Sequence, residues 1–113
     1  MSRMKISFDF DGTLTQPKIA ALAKKFVDAG AEVWITTSRP EKKYGMPKWN
    51  DDLFFAAKKI GVPRERVVMA GDENKHLHLE GFDLHFDDSA ITAFLISQNT
   101  TGCVGAIVTL PVK

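Results

Sequence analysis

A repeated alternation of apolar strands with helical segments is the feature that most constrains the fold of this chain. The predicted strands are Lys5–Phe10, Glu32–Thr37, Arg66–Ala70, Phe82–Phe86 and Cys103–Leu110. Strands separated by helices favour a parallel sheet, because neighbouring parallel strands need a long crossover connection. The sequence therefore predicts an α/β fold with a doubly wound, mostly parallel five-stranded sheet. In such a sheet, ligands bind at the carboxyl ends of the strands.

Helical signals separate these strands. Pro17 suits the first position of a helix that ends at Gly30, and its apolar residues recur at intervals of three and four. Asn50 or Asp51 can cap a second helix, and Ser89 can cap another after the fourth strand. These signals support the alternation of strands and helices.

The composition is that of an ordinary soluble protein of one domain. The chain has 113 residues, of which 44% are apolar and 26% charged, and its net charge of +1 argues against a global nucleic-acid footprint. Cys103 is the sole cysteine, so an internal disulfide is impossible and the cell interior is the default compartment. No apolar run could span a membrane, and no signal-type stretch follows Met1. We therefore expect a single cytoplasmic domain that does not enter the membrane.

The first predicted strand runs into two acids one residue apart, Asp9 and Asp11, which are followed by Gly12. Successive side chains of an extended segment point to opposite faces, so Asp9 and Asp11 are expected to project together, away from Phe10. Gly12 allows a sharp turn and a close approach to a ligand. Neighbouring carboxylates are costly unless a cation lies between them, and a divalent metal with oxygen ligands is the usual one. The pair therefore predicts a metal site.

Other polar residues fall at the same predicted edge of the sheet. Thr37 ends the second strand, Lys75 opens a brief helix after the third, and Asp87 and Asp88 follow the fourth. In a doubly wound sheet, these residues and the two acids of the first strand can face one crevice. The sequence thus predicts a single polar site built from four strand ends.

These residues resemble the motifs of the haloacid dehalogenase superfamily. Asp9–Thr13 matches the Asp-x-Asp-Gly-Thr motif in full, and Thr37–Pro40 looks like the second motif, a hydroxyl residue followed by a small residue, Arg and Pro. Lys75 stands where the family has its third-motif lysine, and Phe86–Ser89 resembles the acidic fourth motif. Gly71–Asp72 resembles some forms of the fourth motif but lacks the acid expected four or five residues later. The resemblance covers essentially the whole chain through its order of elements.

The resemblance implies a magnesium-dependent phosphatase that forms an aspartyl-phosphate intermediate. Asp9 would be the nucleophile, and Asp11 would protonate the leaving group and then deprotonate the attacking water. Mg²⁺ would be bound by Asp9, the Asp11 carbonyl and Asp87. Asp88, the last acid of the metal site, would order a metal-bound water or Lys75 more readily than bind the metal directly.

The substrate phosphate would be bound by a second set of residues. Lys75 would stabilise the charge on the phosphoryl oxygens, and Thr37 would donate a hydrogen bond to one of them. Thr36 or Ser38 could take that role in place of Thr37, and Gly12 would let the backbone approach the phosphate closely.

The cap domain of most relatives has no room in this chain. Leu14–Pro17 alone separates the first motif from its helix, and Ala70–Asn74 fills the other insertion point. The resemblance is therefore to the subgroup without a cap, in which the crevice stays open unless the substrate or a second copy of the chain covers it. An open site suits macromolecular or terminal phosphates.

The loop of residues 39–49 is the one local element that could cover the crevice in part. Its four basic residues against one acid give it a charge of +3. Arg39, Tyr44 and Trp49 are its candidate substrate contacts, because flat aromatic faces can stack on a base. A nucleotide or a nucleic-acid end is therefore one predicted substrate. The alternative is a solvated loop whose aromatic residues pack back on the domain.

Two other functions compete with a phosphatase. A phospho-accepting receiver domain also uses acids, a hydroxyl residue and a lysine on a doubly wound sheet, but Met69–Ala70 offers no acid at the end of the third strand. A non-catalytic phosphate-binding or regulatory protein could keep the fold and all four motifs. The three histidines, His76, His78 and His85, are interpreted as incidental.

Overall fold

Five strands and three α-helices make up the computed structural model, which describes residues 3–109. The strands are β1 (Lys5–Phe8), β2 (Glu32–Thr37), β3 (Val67–Met69), β4 (Leu84–Asp87) and β5 (Val104–Ile107). The helices are α1 (Pro17–Asp28), α2 (Asp51–Ile60) and α3 (Ala90–Asn99), and short 3₁₀ turns cover Arg64–Arg66 and Lys75–His78. Within the described part of the chain, no helix has the length and apolarity that a membrane crossing requires.

The sheet has the order β3-β2-β1-β4-β5, and every neighbouring pair is parallel. The chain moves outward from β1 to β3, returns to the other side of β1, and continues to β5. Because crossovers between parallel strands are right-handed, the two directions place their helices on opposite faces of the sheet. This confirms the doubly wound fold, with all five described strands parallel rather than most of them. The strand order reverses between β1 and β4, which is where such folds bind ligands.

Two apolar layers enclose the sheet. The larger one joins the sheet to α1 and α2 and contains Ile6, Phe8, Phe10, Leu14, Ala23, Val33, Ile35, Leu53, Ala57, Ile60 and Val62. The smaller one contains Leu79, Phe82, Ile96 and Cys103, with Trp34 packed against it. Helix α3 lies so close to β5 that a Cβ atom at Gly105 would collide with the backbone of Ala93. The sheet is therefore covered on both faces.

The central strands also bury a strip of polar side chains. Ser7, Thr36 and His85 are each completely buried. Ser7 lies between Ile6 and Phe8 along β1, so its side chain points to the face opposite the larger apolar layer. Burial of polar groups is tolerated only where they are hydrogen-bonded, and these three are bonded to one another.

The predicted β1 is too long at its carboxyl end. The strand stops at Phe8, and residues 10–14 form a tight turn in which Gly12 has a φ of +78°. The Asp9 amide still donates to the Phe86 carbonyl at 2.8 Å, so Asp9 stays attached to β4 while the chain turns after it. The predicted β5 extended to Leu110, which lies outside the described residues.

Candidate active site

Three carboxylates meet at the point where the strand order reverses. Asp9 follows β1, Asp87 ends β4, and Asp88 follows it; one oxygen from each lies within 4.8 Å of the others. Asp9 and Asp87 are buried, whereas Asp88 is exposed, so the cluster opens to solvent on one side. Because the two strands are neighbours in the sheet, their ends bring together acids 78 residues apart in sequence.

Lys75 bridges the two buried acids. Its Nζ donates to Asp9 Oδ1 and to Asp87 Oδ2, each at 2.7 Å. Only 7% of Lys75 is exposed, although lysine is rarely buried without partners. The side chain comes from the 3₁₀ turn that follows β3, and Lys75 opens this turn as the sequence predicts.

Asp9 is held in an environment that disfavours its charge. Burial raises the pKa of Asp9, and the nearby Asp87 carboxylate raises it further, while the Lys75 ammonium partly lowers it. The combined effect is a pKa of about 7. The Thr13 hydroxyl donates to Asp9 Oδ2 at 3.2 Å. A further cation near this carboxylate would therefore favour its ionised, nucleophilic form.

The pKa of Asp87 is shifted in the opposite direction, below its usual value. Burial raises the pKa of Asp87, but hydrogen bonds from His85 and Lys75 outweigh it and leave the pKa at about 2. Its Oδ2 accepts from both of these side chains, and its Oδ1 accepts from the Ser89 amide at 3.0 Å. Asp87 is therefore ionised at any physiological pH.

The three acids Asp9, Asp87 and Asp88 fit a hard divalent cation. Every donor is a carboxylate oxygen, the ligand type that Mg²⁺ prefers. When all three carboxylates are ionised, the single Lys75 ammonium leaves two excess negative charges, which one divalent ion would balance. The φ of +78° at Gly12 accounts for the glycine, and a side chain at this position would also displace the Asp88 carboxylate.

Asp11 does not project together with Asp9, contrary to the sequence prediction. The prediction treated both as strand residues, but β1 ends at Phe8, and Asp11 belongs to the turn of residues 10–14. The Asp11 side chain is 58% exposed and is absent from the three-acid cluster. Its carboxylate binds Arg39 instead, through Nε at 2.9 Å and Nη2 at 2.8 Å.

The candidate phosphate-binding residues are placed at different depths. Thr37 is buried at the end of β2, and its hydroxyl accepts from the Arg39 amide at 3.2 Å. Ser38 is exposed and lines a crevice of about 100 Å³ together with Lys75. Thr36 lies in the buried polar strip, hydrogen-bonded to Ser7, and is therefore separated from the crevice. The Gly12 amide donates to the Thr15 hydroxyl.

Most of the loop of residues 39–49 is exposed, but Trp49 packs against other residues of the loop. Its indole donates to the Pro40 carbonyl at 3.2 Å, and Arg39 and Lys43 both lie over its ring. Tyr44 is fully exposed. The ring of Trp49 is therefore partly occupied by its own loop, while Tyr44 presents a free aromatic face.

Asn50 fixes this loop instead of capping α2. Its Nδ2 donates to the Pro40 and Glu41 carbonyls, each at 3.1 Å, and its side chain makes no capping hydrogen bond. The loop and α2 enclose a cavity of about 700 Å³, whose lining includes Lys42, Lys43 and Arg64. This cavity is larger than the crevice at Lys75, but Lys75, which bonds to Asp9 and Asp87, lines only the crevice, so we assign the chemistry to the crevice.

His85 is the site residue that the sequence interpretation missed. It is completely buried, with Nε2 2.8 Å from Asp87 Oδ2 and Nδ1 3.0 Å from Ser7 Oγ. Burial lowers the pKa of His85, although the hydrogen bond to Asp87 acts against this. The available signal was its position two residues before Asp87 on a predicted strand, which places both side chains on one face.

No protein-family model matches this chain, and a comparison with curated proteins finds no significant match. The function is therefore argued from the motifs and the geometry of the site.

Proposed function

We propose that this protein is a magnesium-dependent phosphatase of the haloacid dehalogenase type, which hydrolyses a phosphate monoester through Asp9. The observation that carries the proposal is the Lys75 ammonium held between Asp9 and Asp87, with Asp88 beside them at the reversal of strand order. Few structural roles would require three acids and a buried lysine at this edge of a sheet. Together they supply a nucleophile, a cation site and a positive charge for a phosphoryl group.

The reaction would proceed in two displacements. A carboxylate oxygen of Asp9 attacks phosphorus, the bond to the leaving oxygen breaks, and Asp11 donates a proton to that oxygen. Asp11 then removes a proton from a water that attacks the aspartyl-phosphate, which releases inorganic phosphate and restores Asp9. Bound Mg²⁺ would offset the repulsion between the carboxylate and the phosphate dianion.

Lys75 and the end of β2 would stabilise the phosphoryl group. The Lys75 ammonium has three donors, and two of them are used by Asp9 and Asp87, so one is available to a phosphoryl oxygen. Ser38 lines the same crevice, and the Thr37 hydroxyl retains its proton for donation. These donors would act where negative charge develops in the transition state.

Asp11 would have to exchange Arg39 for the substrate before it acts as an acid. Arg39 binds Asp11 and Asp52 with both edges of its guanidinium. A phosphate offers the same bidentate geometry as a carboxylate, so an incoming substrate could take the place of Asp11 on Arg39. The same pairing favours a second candidate function, a non-catalytic phosphate-binding protein in which Arg39 keeps Asp11 out of the site.

The surroundings of the crevice support a substrate that extends beyond its phosphate. Ser38 of the crevice is followed directly by the loop of residues 39–49, whose Lys42 and Lys43 line the cavity of about 700 Å³ with Arg64, and Tyr44 is free to stack. A nucleotide or a nucleic-acid end would bring both the negative charge and the flat base that these residues could bind.

Phosphate release tests the proposal directly. Purified protein is incubated with nucleotides, phosphosugars and 3′-phosphorylated oligonucleotides, with Mg²⁺ or with a chelator. We expect Mg²⁺-dependent release from at least one substrate, abolished in Asp9→Asn. Asp72→Asn is the matched control, because Asp72 is an exposed acid in the loop after β3 and lies outside the cluster. Turnover that persists in Asp9→Asn would overturn the mechanism, and phosphate binding without release would favour the non-catalytic alternative.

A further inference from the structure

His85 connects the candidate metal site to the polar strip inside the sheet. Its ring lies between Asp87 and Ser7, and the Ser7 and Thr36 hydroxyl oxygens are 2.8 Å apart. The four side chains come from β1, β2 and β4, and all are buried. They form one continuous hydrogen-bonded chain that ends at a candidate metal ligand.

The chemistry of the partners determines which ring nitrogen of His85 carries the proton. An ionised carboxylate can only accept hydrogen bonds, so Nε2 must donate to Asp87. Complete burial disfavours a charged imidazole, and the neutral ring has a single N–H. Nδ1 is therefore an acceptor for the Ser7 hydroxyl. Since hydroxyl hydrogens can rotate, Thr36 can in turn donate to Ser7.

These contacts restrict how Asp87 can rotate. Oδ2 accepts from Lys75 at 2.7 Å and from His85 at 2.8 Å, while Oδ1 accepts from the Ser89 amide at 3.0 Å. Three donors from different parts of the fold fix the plane of the carboxylate. The remaining acceptor capacity of Oδ1 is left for a further ligand.

A serine, a histidine and an aspartate in contact could also suggest a hydrolytic triad. Ser7 and His85 are both completely inaccessible to solvent, and both ring nitrogens of His85 are engaged. No substrate carbonyl can reach the Ser7 hydroxyl, so these residues do not act as a nucleophile and base. Ser7 and His85 are linked to the acidic cluster through the hydrogen bond from His85 to Asp87.

We propose that His85 is a positioning residue, which donates from Nε2 to Asp87 and thereby orients this carboxylate for a divalent cation. The inference rests on the proposed metal-dependent function. On the opposite side of the ring, the Ser7 hydroxyl can donate to Nδ1 and is itself hydrogen-bonded to Thr36. Outer hydrogen bonds of this kind typically change metal affinity by about 10- to 100-fold when they are removed.

Metal binding by two amide variants provides the first test. The His85→Gln amide can reach the position of Nε2 and donate to Asp87, whereas the shorter His85→Asn amide reaches only the position of Nδ1. Mn²⁺ binding is measured by the electron paramagnetic resonance of the free ion and Mg²⁺ binding by calorimetry. We expect His85→Asn to bind Mn²⁺ about 10- to 100-fold more weakly than wild type, with His85→Gln closer to wild type. His78→Asn, at a half-buried histidine paired with Glu73, should bind as wild type does.

The tautomer provides a second test that needs neither metal nor a variant. Nitrogen-15 NMR of the wild-type protein at neutral pH should show that Nε2 of His85 carries a proton. A proton on Nδ1 with none on Nε2 would overturn the inference even if the variants fail to fold. Equal Mn²⁺ affinity in His85→Asn and wild type would also overturn it and leave the phosphatase proposal intact. No Mn²⁺ or Mg²⁺ binding by wild type would overturn both.

Discussion

Arg39 binds both carboxylate oxygens of Asp11, with Nε 2.9 Å from Oδ2 and Nη2 2.8 Å from Oδ1. The same guanidinium binds both oxygens of Asp52 in the first turn of α2. Arg39 therefore links the turn after β1 to α2. Its guanidinium also lies over the aromatic rings of Phe10 and Trp49. Arg39, which the sequence predicts to contact the substrate, therefore connects two elements of the fold.

Loss of the Arg39 contacts should lower the stability of the folded protein modestly. In Arg39→Gln, two partly exposed ion pairs and the packing of the guanidinium on Trp49 are lost, so we expect the free energy of unfolding to fall by about 1 kcal/mol. Urea unfolding measures it. Lys24→Gln, which removes the exposed pair with Asp28, is the control and should cost less than about 0.5 kcal/mol. Equal losses in both variants would show that Arg39 is only a surface residue.

Replacement of Asp11 should separate the two halves of the reaction. With p-nitrophenyl phosphate the leaving group needs no proton, so Asp11→Asn should still form the aspartyl-phosphate but hydrolyse it slowly. Rapid-mixing kinetics should show a burst of about one nitrophenol per enzyme molecule, followed by a rate about 10²- to 10⁴-fold below wild type. Asp9→Asn should show no burst. A burst in Asp9→Asn, or an unchanged steady rate in Asp11→Asn, would contradict the assigned roles.

The raised pKa of Asp9 predicts an unusual dependence of stability on pH. The folded protein retains a proton on Asp9 up to pH about 7, whereas the unfolded chain loses it near 3.8. Without metal, this group should therefore make the protein less stable as the pH rises from about 4 through 7, by up to about 4 kcal/mol.

The measurement is urea unfolding with a chelator between pH 5 and 8. Other groups also titrate in this range, so the quantity of interest is the difference between wild type and Asp9→Asn. Wild type should lose stability relative to the variant as the pH rises. Mg²⁺ should raise the melting temperature of wild type more at pH 8 than at pH 6, because ionised Asp9 binds it better. A difference that does not change with pH would contradict the assigned environment of Asp9.

Gly12 should be needed for its lack of a side chain as well as for its backbone angle. Gly12 and Gly45 have φ values of +78° and +74°, but only Gly12 faces a neighbour, the Asp88 carboxylate. Gly45→Ala should cost about 1 kcal/mol of backbone strain and leave Mn²⁺ binding unchanged. Gly12→Ala should have the same strain and also displace Asp88, so Mn²⁺ should bind more weakly. The same Mn²⁺ affinity in both variants would place Asp88 outside the metal site.

The fold was predictable from the sequence because its signals are local. Apolar strands alternate with α-helices, or with the 3₁₀ turn Lys75–His78 between β3 and β4, and the bounds of β2 and α2 follow directly from the residues that flank them. The positions of Lys75, Asp87 and Asp88 followed from the same alternation, since strand ends share an edge.

The details that were missed depend on contacts between distant residues. The direction of Asp11 is set by a turn and by Arg39, 28 residues away, and neither is visible in a period-two pattern. The role of His85 depends on Ser7, 78 residues away, and on the order of the strands. A buried histidine and a surface histidine look the same until the neighbouring strands are known.

The buried polar strip also constrains how the strands can assemble. Ser7 stands opposite His85 in the register between β1 and β4, with the apolar residues Phe8 and Ile6 opposite Phe86 and Leu84. A slip of one residue would place apolar side chains beside Ser7 and leave each polar group without a partner, at a cost of about 1–3 kcal/mol apiece. Misaligned strands are therefore penalised during folding. The register that satisfies Ser7 and His85 is also the one that brings Asp9 level with Asp87, so correct folding and assembly of the acidic cluster are a single event.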